Sequence, residues 1–394
     1  MLRGSLLFAA VLAAFFAATA SAEAWSPEKT TLATARMQAL VGTSAGQTPG
    51  ISVGVSVNGN PVFTSGAGVA FSGTPATAHT GYQLGSLTKQ LTAATMLALI
   101  EKKGGNTFSL ETKVKDTLQD SFPFSKSGAE TIRNLLNQRT GYATYTKPPA
   151  GAANVPDGTA PIERQRLRGY VYSLLRQFPA AALPAPGEKH AYNNTNYYLA
   201  SLMIEKLGGV ADYRDAMKLY VFQPAGMSKS GFIGAPPTGV QLAQPPFDTT
   251  KSLLNKPDWP RGAGDVVSTV TDLLKWHTAL MKDKLFSKTS RVTMVAPPPG
   301  DTYAMGWVTT TTPTHIWFNH SGIIPGFTSY DGIYFNASTN GWVSVAVLAS
   351  NDGVPVDKLA VCLAQAAMDP SLTLKGMGAI PKALCGISNK MFGP

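Results

Sequence analysis

Residues 85–104 read GSLTKQLTAATMLALIEKKG, which predicts the most apolar helix of the chain, running through Leu91, Met96, Leu97 and Ile100 to Lys102-Lys103-Gly104. At its start Ser86 and Lys89 are three residues apart, so a helix puts hydroxyl and ammonium on one face, a turn apart. A lysine buried there loses its proton more readily, because desolvation penalises the charged form. The amine can then help activate the hydroxyl as a nucleophile. The spacing alone says little. Ser26-Pro27-Glu28-Lys29 has it too, and there the serine reads as a helix cap. Context separates the two: a lysine in the first turn of an apolar helix opposes the helix dipole, so a compensating function is expected at Lys89.

Outward from this helix the pattern changes. Upstream, Ser26 caps and Pro27 opens a helix with Ala33, Met37, Leu40 and Val41 on one face. Ile51, Val53, Val55 and Val57 then alternate strictly before Asn58-Gly59-Asn60 and Val62, the signature of a hairpin. Strands recur near the other end, at Ile316 to Phe318, at Tyr334-Phe335, and at Val343, Val345 and Val347 after Asn340-Gly341. A last helix carries Val356, Leu359, Ala360, Leu363 and Ala367 on one side. From Ser86 to about Leu280 the apolar segments have helical period, separated by Pro- and Gly-rich loops. The expected fold class is α/β: an antiparallel sheet formed by both chain ends and flanked by helices, with an inserted, mostly helical lobe. The expected division is 1–22 as a signal peptide, 23–80 with 300–394 as the sheet domain, and 81–299 as the helical domain carrying Ser86, Lys89 and Tyr192. A cleft between two such parts is a favoured place for a small-molecule site.

Two further stretches carry candidate chemistry. Tyr192-Asn193-Asn194 precedes a helix containing Tyr197, Leu199, Leu202 and Ile204. A phenol beside a cation can ionise below its usual value of ~10 and act as a base. Asn194 is placed to orient Lys89 and to hold a substrate amide. The plainer reading is a packed tyrosine and a capping asparagine. Tyr334-Phe335-Asn336 shows that the Tyr-x-Asn tripeptide also occurs without such a context. His320-Ser321-Gly322 follows the Ile316 to Phe318 strand, where a strand edge can offer backbone N–H groups to a developing oxyanion while His320 and Ser321 face the cleft. Lys126-Ser127-Gly128 and Lys229-Ser230-Gly231 are nearer to Lys-Thr-Gly in composition, but both read as loops between helices.

In this order the pieces resemble the serine β-lactamase and penicillin-binding-protein family, in the branch of class C β-lactamases, D-Ala-D-Ala carboxypeptidases, D-aminopeptidases and related esterases. The resemblance runs from about Thr48 to Gly353. It is carried by Gly85-Ser86-Leu87-Thr88-Lys89, Thr131-Ile132-Arg133-Asn134-Leu135-Leu136, Pro186-Gly187 before Tyr192, and Pro224-Ala225-Gly226-Met227. It continues through Gly264, Ser268-Thr269 with Asp272, His320-Ser321-Gly322 and Pro325-Gly326-Phe327. It implies a Ser-Lys-Tyr mechanism: Ser86 attacks an ester or amide carbonyl, Lys89 and Tyr192 relay the proton, and water releases the acyl group. Asn194, His320, Ser321, Gly322 and Ile323 are the implied substrate-binding residues, with the N–H groups of Ser86 and Ile323 as the oxyanion hole. No metal and no cofactor is implied. The third motif begins with His, not Lys, which puts β-lactam hydrolysis in doubt but not acyl transfer. The alternatives are a true β-lactamase or D-Ala-D-Ala carboxypeptidase, and an inactive relative that binds cell-wall peptides.

The chain ends bear on location. Arg3, the apolar run from Leu6 to Ala18 and Ala20-Ser21-Ala22 form a cleavable signal, which implies a periplasmic or secreted protein with no membrane span after cleavage. About 370 residues then remain, enough for one large core or two lobes. A hydrophobic fraction of 44% against 14% charged residues describes a globular chain. The net charge of +10 is spread without blocks of Lys and Arg, so a nucleic-acid partner is not expected. The expected partner is a small-molecule ester, amide or peptide substrate.

Cys362 and Cys385 are the two cysteines of the chain, and in an oxidising compartment an isolated pair of this kind forms one bridge; the alternative is that both remain thiols. A loop of this size contributes roughly 3 kcal/mol when unstrained. Intact mass after alkylation with and without reductant checks the bridge. Protection of both cysteines until reduction is expected, and alkylation of both without reductant rules the bridge out.

Overall fold

The computed structural model describes residues 25–118, 128–156, 162–178, 187–245, 258–312, 315–336 and 341–368. The expected signal peptide, Lys126-Ser127, Pro186 and Cys385 lie outside these residues. Helix α1 (Pro27–Gln38) opens on Ser26, whose hydroxyl accepts from the Lys29 amide. The first Ser-x-x-Lys is therefore a cap. Strand β1 (Gly50–Val57) turns through Asn58 and Gly59, at φ 52° and 85°, into β2 (Asn60–Phe71), and β3 (Thr74–Pro75) follows. Positive φ at both turn positions matches the twist of the flanking strands, and Asn-Gly adopts it with least strain.

Three short strands lie in the middle of the chain: β4 (Tyr82–Gln83), β5 (Gly231–Phe232) and β6 (Val266–Ser268). Between them come helix α2 (Thr88–Leu99) and helix α3 (Asn194–Gly208), and helix α4 (Val270–Met281) comes after β6. The described residues end with β7 (Val308–Thr311), β8 (His315–Ile324), β9 (Phe327–Asn336), β10 (Gly341–Ala349) and helix α5 (Val356–Met368).

Seven strands form one antiparallel sheet in the order β3-β2-β1-β10-β9-β8-β7. The two halves of the chain meet in its middle, where β1 pairs with β10 from Ile51 opposite Ala349 to Val57 opposite Val343. Alternation sorts the faces. Ile51, Val53, Val55, Val343, Val345 and Val347 form one core with Ala33 and Met37 of α1 and Leu359, Ala360 and Leu363 of α5. The opposite face of β1 carries Ser52, Gly54 and Ser56, small enough for α4 to lie close. A Cβ on Gly54 would stand 3.1 Å from Leu274 Cδ1. Helix α4, part of the segment read as a helical domain, therefore packs on the sheet.

β4, β6 and β5 form a separate three-stranded sheet that the sequence pattern did not reveal, because strands of two or three residues are too short to show alternation. This small sheet fixes the approach to α2. The Leu84 amide donates to Val266 O at 2.9 Å, and the Val266 amide donates to Thr88 Oγ1 at 3.1 Å. The strand read at Ile316 to Phe318 extends to Ile324, so His320-Ser321-Gly322 lies within β8 and not beyond its end. Among the described residues, no helix is long and apolar enough to cross a membrane.

Candidate active site

Ser86 sits in a single 3₁₀ turn, Gly85–Leu87, that leads directly into α2. Gly85 has φ 53°, and a Cβ there would stand 3.2 Å from the Ile323 amide nitrogen. Both the dihedral and the close approach of β8 call for glycine. Ser86 is half-buried, whereas every residue of α2 is buried, Lys89 included.

The Lys89 ammonium has three partners. It donates to Ser86 Oγ at 3.0 Å, Asn194 Oδ1 at 2.8 Å and Ala263 O at 2.9 Å. None is a carboxylate, and burial pushes the amine well below the ordinary lysine value. The set suits both protonation states. A neutral amine has two N–H groups for the two carbonyl oxygens and a lone pair for the Ser86 hydroxyl, while an ammonium has a third N–H for Ser86 Oγ. Ala263 belongs to a loop held by a buried ionic cluster. Arg261, 1% exposed, meets Glu205, Asp212 and Asp258, while Arg214 meets Asp258 and the fully buried Asp265. Asp265 Oδ1 also accepts from the Gly262 amide at 3.0 Å, which orients the carbonyl-bearing turn.

Tyr192 and Asn194 come from the start of α3, where Asn193 is the cap: its side chain accepts from the Asn196 amide at 2.9 Å. The Asn194 amide group donates to Thr146 Oγ1 at 2.7 Å, which leaves Oδ1 for Lys89. Tyr192 as a whole is 44% exposed, but its hydroxyl turns inward and donates to Ser86 Oγ at 2.8 Å. Lys89 Nζ lies 4.8 Å from the ring centroid. A phenol made more acidic by a neighbouring cation is not what results. Burial of the hydroxyl raises its pKa, only partly offset by the bond to Ser86. Desolvation of the phenol itself decides the direction.

β8 forms the opposite wall. His320 and Gly322 are buried and Ser321 and Ile323 exposed, as alternation along a strand requires. His320 and Ser321 therefore do not face the cleft together, which corrects the expectation. The imidazole is 5% exposed and both nitrogens are engaged: Nδ1 with Ser321 O at 2.6 Å and Nε2 with the Tyr303 hydroxyl at 3.2 Å. A carbonyl only accepts, so Nδ1 carries the proton and Nε2 accepts from Tyr303. Burial pushes His320 down to about 4. The ring stands behind Tyr192, at 6.1 Å between centroids. Ile323 pairs with Thr328 one step in from the two-residue turn, where Ile324 meets Phe327. The closing pair of such a hairpin is hydrogen-bonded and the next is not, so the Ile323 N–H points away from β9, towards the Gly85 turn. Gly322 permits the approach: a Cβ there would stand 2.1 Å from Leu84 O.

Ser86, Lys89, Tyr192 and Asn194 thus converge, with Gly322 and Ile323 beside them. His320 lies behind, and Ser321 projects from the other face of the strand. Cys362 is buried on α5. Ala263, Thr146, Tyr303 and the Arg261 cluster escaped the sequence reading. A backbone carbonyl has no sequence signature, and the hydroxyls act through other side chains. Ser230 of the rejected Lys229-Ser230-Gly231 is committed to Ser268 and Asp272.

A family model described as Beta-lactamase matches residues 30–366. The unguisins hydrolase ungD' of Aspergillus campestris is 31% identical over 283 residues, 68% of this chain and 48% of that protein. Penicillin-binding protein 4* of Bacillus subtilis is 27% identical over 271 residues, covering 63% and 56%. The chain spans about half the length of the curated relatives it matches. Among solved structures, the D-stereospecific amidohydrolase from Streptomyces sp. superposes with a TM-score of 0.65 at 21% identity, over 85% of this chain and 98% of that one. The octameric penicillin-binding protein homologue from Pyrococcus abyssi does so with 0.63 at 24%, over 84% and 73%. These two likenesses establish the fold, and the match along most of the sequence establishes the kinship: this chain belongs to the Beta-lactamase family of serine hydrolases.

Proposed function

We propose that this is an exported serine hydrolase that cleaves an ester or a peptide-like amide through an acyl-enzyme on Ser86. The observation that carries the reading is Ser86 Oγ held between Lys89 Nζ at 3.0 Å and the Tyr192 hydroxyl at 2.8 Å. The neutral Lys89 amine takes the hydroxyl proton as Oγ attacks the carbonyl carbon. The N–H groups of Ser86 and Ile323 receive the developing oxyanion. Tyr192 gives its proton to the leaving oxygen or nitrogen and recovers one from Lys89, so the net transfer is from Ser86 to the leaving group. Water, deprotonated by the same pair, then releases the acid and restores the Ser86 hydroxyl. Export rests on the pattern of Arg3, Leu6 to Ala18 and Ala20-Ser21-Ala22. Two of the relatives, a hydrolase of unguisins and a D-stereospecific amidohydrolase, favour amide-like substrates within this class.

Ser86→Ala is expected to remove essentially all turnover, ~10⁴-fold or more, and to leave the fold intact. Mass spectrometry after incubation with a fluorophosphonate, a penicillin and a p-nitrophenyl ester reports which of them acylates Ser86. A folded Ser86→Ala protein that keeps a tenth of the activity contradicts the assignment.

The neutral, buried His320 also bears on substrate choice. A charged lysine at this place would offer a substrate carboxylate a contact that a neutral imidazole does not, and the loss of such a contact costs about 1.5 to 3 kcal/mol, roughly ten- to a hundred-fold in affinity. Short esters, or amides without a free carboxylate, are expected to turn over better than penicillins. His320→Lys should move the ratio of kcat/KM values for a chromogenic cephalosporin over a p-nitrophenyl ester upward. A wild type that already prefers the cephalosporin, and a Lys variant that loses it, would make β-lactamase the better description.

A further inference from the structure

The two N–H groups assigned to the oxyanion hole sit on separate pieces of chain, Ser86 in the 3₁₀ turn and Ile323 on β8. Their spacing is therefore set by contacts between those pieces, and β9 supplies two. Ser329, directly opposite Gly322 in register and 1% exposed, donates its hydroxyl to Leu84 O at 2.7 Å. Two residues on, and so on the same face, the fully buried Asp331 accepts from Gln90 Nε2 at 2.6 Å through Oδ1 and pairs with His277 Nε2 at 3.0 Å through Oδ2. Leu84 lies two residues before Ser86, and Gln90 follows Lys89. Two positions on one face of β9 thus grip the segment bearing nucleophile and base at both of its ends. Gln90 is itself braced from α4, since its Oε1 accepts from Trp276 Nε1 at 3.1 Å.

The glycines show how tight the arrangement is. A Cβ on Gly322 would stand 2.1 Å from Leu84 O and 2.2 Å from Ser329 Oγ, so β8, β9 and the turn meet at one point with no space to spare. We propose that Ser329, seconded by Asp331, is a positioning residue that sets the separation between the Ser86 and Ile323 N–H groups. This rests on the reading of Ser86 as nucleophile. Oxyanion donors act only within about 2.7 to 3.1 Å of the oxygen they stabilise. A misplacement of about 1 Å can cost on the order of a hundred-fold in rate. The substrate's ground-state carbonyl depends less on that spacing than the tetrahedral species does, so the effect falls on kcat and not on KM.

The test is Ser329→Ala, assayed for kcat and KM on a p-nitrophenyl ester and for the affinity of a boronic acid, whose tetrahedral adduct with Ser86 occupies the hole. The expected result is a fall in kcat of about ten- to a hundred-fold at unchanged KM, with a parallel loss of boronate affinity. A merely structural Ser329 would lower the unfolding temperature and leave kcat per folded molecule and boronate affinity unchanged, which overturns the proposal. If Ser329→Ala does not fold, Gln90→Met cuts the second tie from the helix side and is judged by the same two outcomes. Fluorophosphonate labelling of wild-type Ser86 runs alongside. An unlabelled wild type overturns the hydrolase reading itself, whereas a labelled wild type with unaltered variants overturns the positioning role alone.

Discussion

A primary amine buried in the first turn of an apolar helix is the constraint on which the rest of the site depends. Lys89 is fully buried and, among the described residues, has no carboxylate partner, so its charged form is penalised and its N–H groups need acceptors. Three acceptors come from three distant parts of the chain: Ser86, Asn194 at the head of α3 and Ala263 in the loop before β6. Each brings its own support. Asn194 is aimed by Thr146, Ala263 by the turn that Asp265 ties, and Ser86 by a turn only glycine at position 85 allows. A lysine in water would need none of this and would remain charged, unable to accept the serine proton.

The ionic cluster around Arg261 and Asp265 fits the same logic. Buried ion pairs recover little net stability, because the Coulombic gain is largely offset by desolvation. Here three arginines and four carboxylates are concentrated under one loop, with Arg261 in contact with Glu205, Asp212 and Asp258, Arg164 with Glu205 and Asp212, and Arg214 with Asp265. What they secure is the path of residues 258–265, and hence the direction of a single carbonyl. The sheet plays the matching part on the other side, bringing β8 and β9 against the Gly85–Leu87 turn.

Much of this was legible in the sequence, for physical reasons. Alternation at Ile51 to Val57 and Val343 to Val347 marked strands whose two faces meet different surroundings. The apolar run after Lys89 marked a helix buried all round. Ser86, Lys89, Tyr192 and Asn194 could be picked out because each needs a particular side chain. What stayed hidden acts through the backbone or across long separations. Ala263 contributes only a carbonyl, 174 residues from Lys89. The face of His320 turned on where β8 ends: a strand ending at Phe318 leaves it free to face the cleft, and one reaching Ile324 commits it to the interior. The phenol's shift went the other way from expectation because its hydroxyl is buried, and no motif records burial.

Direct titration of Lys89 tests the central claim that this amine serves as a neutral base. In protein labelled with ¹³C at lysine Cε, the resonance absent from Lys89→Met belongs to Lys89, and its shift against pH gives the pKa. The account predicts a midpoint well below the ordinary lysine value of ~10.4, with the neutral amine gaining as pH rises through it. A Lys89 that titrates at or above that ordinary value would be a permanent ammonium at neutral pH, and the proton path from Ser86 would then have to be drawn without it.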